Sequence, residues 1–176
     1  MRLLAWCVMP NHWHFILWPR NDGDLSKFIR WITLTHTQRL HVFRETTGTG
    51  PIYQGRFKSF LIQDNDYLLT ACRYVERNAL RAKLVLKAEH WSWGSLCHHD
   101  RRGTPDAQLL SECPVKRPRN WVAYVNRPHT TAELQAVRKS VHRSRPFGNP
   151  VWADSVAEAH GLETSLRPRG RPKKGV

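Results

Sequence analysis

Pro10-Asn11-His12-Trp13-His14-Phe15 lies between two short apolar runs, Leu3 to Val8 and Trp13 to Trp18. Two such runs around Met9-Pro10-Asn11 predict a β-hairpin. In a strand, residues two apart point to the same face, about 7 Å apart at Cα. His12 and His14 therefore stand side by side, and Trp13, Phe15 and Leu17 fill the opposite face. Neutral imidazole is a good ligand for divalent cations, but two imidazoles need a third ligand from elsewhere in the chain. Without one, the pair is half of an ordinary polar strand face in a chain that carries 10 histidines.

A second constellation lies downstream, in Asp64-Asn65-Asp66-Tyr67 through Arg81-Ala82. Leu68, Ala71, Cys72, Val75, Ala79 and Ala82 recur at helical spacing, which predicts an amphipathic helix beginning near Asp64 or Asn65, both good caps. On that helix Tyr74 and Asn78 are four apart and share a face. A tyrosine oxygen can form covalent intermediates, and a bound cation can polarise the phosphodiester it attacks. Singly, a helix-flank aromatic and a polar residue near a helix end are commonplace. Tyr67, seven residues before Tyr74, lies near the same face, so periodicity does not choose between the two phenols.

Three blocks in order, Met9-Pro10-Asn11-His12-Trp13-His14, then Tyr53-Gln54-Gly55-Arg56-Phe57-Lys58-Ser59, then Arg73-Tyr74-Val75-Glu76-Arg77-Asn78 with Arg81-Ala82, resemble those of REP-associated tyrosine transposases. These are single-tyrosine HUH transposases, of the insertion-sequence type that works on single-stranded DNA, and the resemblance runs from Ala5 to about Trp93. It implies that His12 and His14 bind a divalent metal, Mg or Mn, that Asn78 completes the metal shell, and that Tyr74 is the nucleophile. It also selects Tyr74 over Tyr67. Where the family usually reads Asn-Pro, this chain has Asn78-Ala79, a change in backbone restriction and not in chemistry. The implied fold is α+β, a ferredoxin-like antiparallel sheet with helices on one face. Met1 stands only eleven residues before His12, so the resemblance further implies that the core's first strand and helix are missing. Pairing across the resulting open edge would give a homodimer.

Composition points to the same kind of partner. Lys and Arg number 28 against 14 Asp and Glu, a formal net charge of +14, which supplies sequence-independent attraction to phosphate. Arginine-rich compositions also arise in GC-rich genomes. The 8 tryptophans offer stacking surfaces for unpaired bases, although core packing is their commoner use. Cys7, Cys72, Cys97 and Cys113 have no C-x-x-C spacing, so neither a zinc ribbon nor a disulfide framework is indicated. They fit a reducing bacterial cytoplasm, and the charge fits association with the nucleoid. No run reaches the 18 or more apolar residues of a membrane span.

Asp24 reads as the cap of a helix with Leu25, Phe28, Ile29, Ile32 and Leu40 inward. Tyr53 to Gln63 reads as a strand on which Arg56 and Lys58, two apart, share a face that could meet phosphate. Arg73, Arg77 and Arg81 on the tyrosine helix are further candidates for DNA contact. Beyond His98 turn formers dominate, which divides the chain into a core at 1–97 and a basic extension at 98–176 with a linker-like start. Within the extension Thr130-x-x-Glu133 is a capping-box pattern, and Asn149-Pro150 to Gly161 brackets a second short helix. The tail Arg167-Pro168-Arg169-Gly170-Arg171-Pro172-Lys173-Lys174 resembles an AT-hook, with Arg169, Arg171 and Lys173 following an A·T minor groove. A disordered cationic tail is the alternative.

These observations frame two functions: a transposase-like enzyme that cleaves and rejoins single-stranded DNA, with repeat hairpins as substrate, through a 5′-phosphotyrosine intermediate, or a non-catalytic DNA-binding remnant that needs no metal. A structural zinc site formed by His12, His14 and a cysteine is a weaker third, since no cysteine stands at a short ligand spacing.

Overall fold

β1 (Arg2–Val8) and β2 (Trp13–Trp18) pair antiparallel, with Cys7 opposite His14 and Val8 opposite Trp13. The turn between them closes with the Met9 N–H donating to the His12 carbonyl at 2.8 Å. The computed structural model describes residues 1–99 and 107–167. Among these the hairpin is the one sheet, and with the helices below it makes the fold α+β. Leu4, Ala5, Trp6 and Cys7 are all buried, so β1 is covered on both faces, as a central strand would be. Its outer edge is occupied in two places. The Val8 N–H donates to Trp93 O and the Ser111 N–H to Leu3 O, which satisfies groups that an open edge would expose.

The strand expected over Tyr53 to Gln63 does not form. Gly55 turns the chain at φ 75°, and β1 has already spent its outer edge on residues 93–94 and 110–111. What remains is a single bridge, Ile62 with Phe147, in which the Phe147 N–H reaches Leu61 O at 2.8 Å and the Gln63 N–H reaches Phe147 O at 2.9 Å. Arg56 and Lys58 are exposed on this irregular segment and not on a shared strand face. The face of β2 expected to be core also differs: Trp13, Phe15 and Leu17 are half-buried, and Ile16, on the His14 side, is the buried residue.

α1 spans Asp24–Phe43, entered through Gly23 at φ 77° and not through an Asp24 cap. Of its five expected inward residues only Ile29 is fully buried, while Leu25, Phe28, Ile32 and Leu40 are half-buried. The following segment folds back on it, with Tyr53 Oη 2.8 Å from His36 Nδ1 and His41 Nε2 donating to Gly50 O at 3.0 Å. α2 (Asp66–Glu76) starts as its sequence predicts, with Asn65 Oδ1 accepting from the Tyr67 N–H at 3.0 Å. The expected run to Ala82 is realised in two pieces, α2 and α3 (Asn78–Arg81). Helical bonds from the Arg77 and Arg81 N–H groups to Arg73 O and Arg77 O, both 2.9 Å, carry the register across the junction.

The core does not stop at residue 97. After α3 come α4 (Trp121–Asn126), α5 (Thr131–Arg143), α6 (Pro150–Ala159) and α7 (Glu163–Leu166). Trp121, Val125, Val137 and Phe147 belong to the same buried cluster as Leu4, Cys72 and Val75. α4 has no periodic signature, yet Trp121 is 1% exposed. Both bonds of the Thr130/Glu133 capping box are made, and Asn149 caps α6 through the Trp152 N–H.

Glu76, 2% exposed, ties these parts together. It accepts from Ser95 Oγ at 2.7 Å and from Trp121 Nε1 at 2.7 Å, with Arg117 at 3.9 Å. Ser95 Oγ in turn accepts from the Trp6 N–H at 3.1 Å. Burial raises the Glu76 pKa, and Arg117, Ser95 and Trp121 oppose the rise. One carboxyl thus joins β1, α2, the turn at Ser95 and α4. Among the described residues no helix is long and apolar enough to cross a membrane. The AT-hook-like tail with Arg169, Arg171 and Lys173 lies outside the described residues.

Candidate active site

The hairpin brings His14 against α2, with His12 beside it. The rings of His12 and His14 are 4.9 Å apart, nearly perpendicular at 89°. Nδ1 of the exposed His12 donates to Asn11 Oδ1 at 2.7 Å, which leaves Nε2 with its lone pair, the arrangement that orients a ligating imidazole. His14 is lowered from its usual 6.5 to about 4, first by burial and then by the charges of His12 and Arg81. Near neutral pH its ring is therefore uncharged and able to ligate.

Tyr74 meets this pair. Its ring lies 5.9 Å from His14 at 81°, and the side chain is 7% exposed. Arg81, one turn beyond Asn78 on α3, places its guanidinium 4.8 Å over the Tyr74 ring and donates through Nη2 to Asn78 Oδ1 at 2.5 Å. Asn78 is 1% exposed, and its Nδ2 is buried with no hydrogen-bond partner. Because arginine only donates, the Arg81 bond fixes Oδ1 as the oxygen, and a carbonyl oxygen retains a second lone pair. Tyr67 goes elsewhere: its ring packs on Phe147 at 5.1 Å.

The candidate donors are thus two imidazoles and one amide oxygen. No group of three His, Cys, Asp or Glu side chains with metal-holding geometry exists among the described residues, so the zinc alternative gains no cysteine. Mixed imidazole and carbonyl donors suit a borderline-hard divalent ion such as Mn, and the freed Nε2 of His12 fits that use.

Arg73 does not serve the DNA surface expected of it. It is 5% exposed, paired to Glu133 at 2.7 Å, donating to His129 Nε2 at 3.2 Å and stacked 4.5 Å over Tyr124. The spacing Leu69, Arg73, Glu76 already places it on the apolar side of α2. Arg77 is half-buried, bonded to Asn126 O at 3.4 Å, and it lines an open cavity of about 810 Å³ together with Lys87 and Arg119. Arg81 belongs to the tyrosine site itself.

His129 escaped the sequence reading altogether. Its ring is 6.1 Å from Tyr74 at 72°, on the side remote in sequence from the hairpin. It precedes a recognisable capping box, but nothing local signals that the box carries it to Tyr74.

A two-stranded hairpin bearing paired imidazoles is packed on a helix whose tyrosine contacts His14. Residues 1–78 of the 176 match the family described as "Transposase IS200 like". The matched span begins with the hairpin and ends on Asn78. No curated protein and no solved structure gives a significant match.

The two lowered imidazoles have a consequence for stability. His129, like His14, is lowered from 6.5 to about 4, by burial and then by Arg73. A folded-state pKa below the unfolded one contributes stability that is full above the unfolded value and is lost as pH falls through the folded value. The melting temperature should therefore fall between about pH 6.5 and about pH 4, and His129→Phe should make that fall shallower. A melting temperature flat across this window would refute the two buried neutral rings.

Proposed function

We propose that the chain cleaves and rejoins single-stranded DNA by metal-assisted transesterification, with Tyr74 as the nucleophile. The observation that carries this is the meeting of His12, His14, Tyr74, Asn78 and Arg81 at one place, with the rival phenol of Tyr67 turned onto Phe147. His12 and His14 with Asn78 Oδ1 would hold Mn²⁺ or Mg²⁺, which when bound withdraws charge from a non-bridging phosphate oxygen.

The residues do the rest. Tyr74 Oη bonds to phosphorus, the bond from phosphorus to the 3′ oxygen breaks, and that oxygen leaves as a hydroxyl, taking up a proton in exchange for the one the phenol gives to water. The product is a 5′-phosphotyrosyl link and a free 3′-hydroxyl, and the retained phosphoester energy permits rejoining without a nucleotide cofactor. Arg81, poised over the phenol, can pass from Asn78 to the phosphate with a charge-assisted bond. Exposed Arg56 and Lys58 and the half-buried Arg77 are placed to track the DNA backbone. The REP-associated subtype and a hairpin substrate are supported by the order of the three motif blocks, and the tail residues Arg169, Arg171 and Lys173 by their AT-hook pattern.

A single-stranded oligonucleotide incubated with the full chain and Mn²⁺ should yield an adduct that survives denaturing electrophoresis, and EDTA should eliminate it. An undiminished adduct in EDTA would remove the metal-assisted mechanism. Binding without any adduct in either condition would favour the non-catalytic DNA-binding protein.

A further inference from the structure

We infer that His129 is a positioning residue for Tyr74, packing on its ring together with His14 so that the phenol is held at one angle. The inference rests on the proposal that Tyr74 is the nucleophile, and it concerns a residue outside the span 1–78 that matches the transposase family.

Two imidazoles contact the ring. His14 stands 5.9 Å from the Tyr74 ring at 81° and His129 stands 6.1 Å from it at 72°, both in the edge-to-face arrangement that aromatic quadrupoles favour. Arg81 covers the ring at 4.8 Å. A clamp must itself be rigid, and His129 is anchored through a relay. The Thr130 N–H donates to Glu133 Oε2 at 2.7 Å, Glu133 Oε1 accepts from Arg73 Nη2 at 2.7 Å, and Arg73 Nε donates to His129 Nε2 at 3.2 Å.

The relay also defines what His129 does not do. Because Arg73 can only donate, Nε2 of His129 accepts from it at 3.2 Å, and the Thr70 carbonyl, 3.5 Å from the same nitrogen, is then a packing contact; so engaged, Nε2 is not placed to take the phenol proton. It offers Tyr74 an uncharged ring in a fixed orientation. Buried Arg73 thereby acquires a purpose: it orients His129 and not DNA. Fixing the attacking group matters because a misplacement of about 1 Å can cost on the order of a hundredfold in rate. On this account the residues beyond 98 complete the setting of the nucleophile.

The test uses the full chain, Mn²⁺ and a single-stranded oligonucleotide, measuring the single-turnover rate of adduct formation beside the dissociation constant for the same oligonucleotide. His129→Ala should slow adduct formation by about ten- to a hundredfold while the dissociation constant stays within about twofold. His129→Phe, which restores a flat ring without a polar atom, should recover most of the rate. Full rate in His129→Ala, or no recovery in a folded His129→Phe, overturns the inference. A readout independent of activity is the ring-flip rate of Tyr74 by NMR on labelled tyrosines, its signal assigned by loss in Tyr74→Phe. The flip should be slow in the native chain and markedly faster in His129→Ala; equal rates overturn the clamp. An adduct that persists in Tyr74→Phe would instead defeat the nucleophile assignment, which the ring-flip comparison does not depend on.

Discussion

Tyr74→Phe should abolish covalent capture of single-stranded DNA, and Tyr67→Phe should leave it intact. The two phenols are seven residues apart on one helix, so any global property of the chain is shared between these variants. They differ in what surrounds the oxygen. The Tyr74 ring touches His14, His129 and Arg81, whereas Tyr67 lies against Phe147. Removing one hydroxyl from Tyr74 deletes the attacking atom and changes little volume, so the fold should persist and oligonucleotide binding should remain. The expected loss is complete, because a phenyl ring has no nucleophile to offer. If Tyr67→Phe is the variant that loses the adduct, the assignment is wrong.

The second large effect is on stability. Trp121→Ala should leave the whole chain unfolded or barely folded. Truncating a buried tryptophan costs about 3–5 kcal/mol, and here it also strips Glu76 Oε2 of its 2.7 Å donor, a loss of about 1–3 kcal/mol for a buried acceptor. The ring further stacks on Tyr124 at 5.4 Å and carries Arg117 at 4.9 Å. A domain holds only about 5–15 kcal/mol in all. Urea denaturation gives the measurement, with Trp31→Ala as control: Trp31 is 62% exposed and its loss should cost within about 0.5 kcal/mol. Since Trp121 follows the compositional break at residue 98, a Trp121→Ala protein whose hairpin and tyrosine helix unfold at the native midpoint would show that the C-terminal helices are a separate cooperative unit.

What the sequence discloses here divides by range of interaction. The hairpin, the Asn65 cap, the Thr130/Glu133 box and the Asn149-Pro150 start are local, set by turn chemistry and capping, and each forms where its residues indicate. The Tyr53 to Gln63 strand does not form because Gly55 turns the chain at φ 75° and the segment pairs only at Ile62 with Phe147, a residue distant in sequence. Arg73 reads as a DNA contact because the partner that holds it inside, Glu133, lies 60 positions away. The site divides in the same way. His12 with His14, and Tyr74 with Asn78 and Arg81, are set by local spacing, whereas His129 beside the phenol emerges only when the helices pack. The hydrogen bond from Arg81 to Asn78 is itself legible at helical spacing, three residues apart.

The central claim is that one phosphate reaches both the paired imidazoles and the phenol of Tyr74. Its most direct test is to trap the native chain on a single-stranded oligonucleotide in Mn²⁺, digest the adduct, and locate the modified peptide by mass spectrometry. The account predicts one nucleotide-bearing peptide, modified at Tyr74 and lost in His12→Ala and His14→Ala. Modification at any other residue, or an unchanged yield in those two variants, would contradict it.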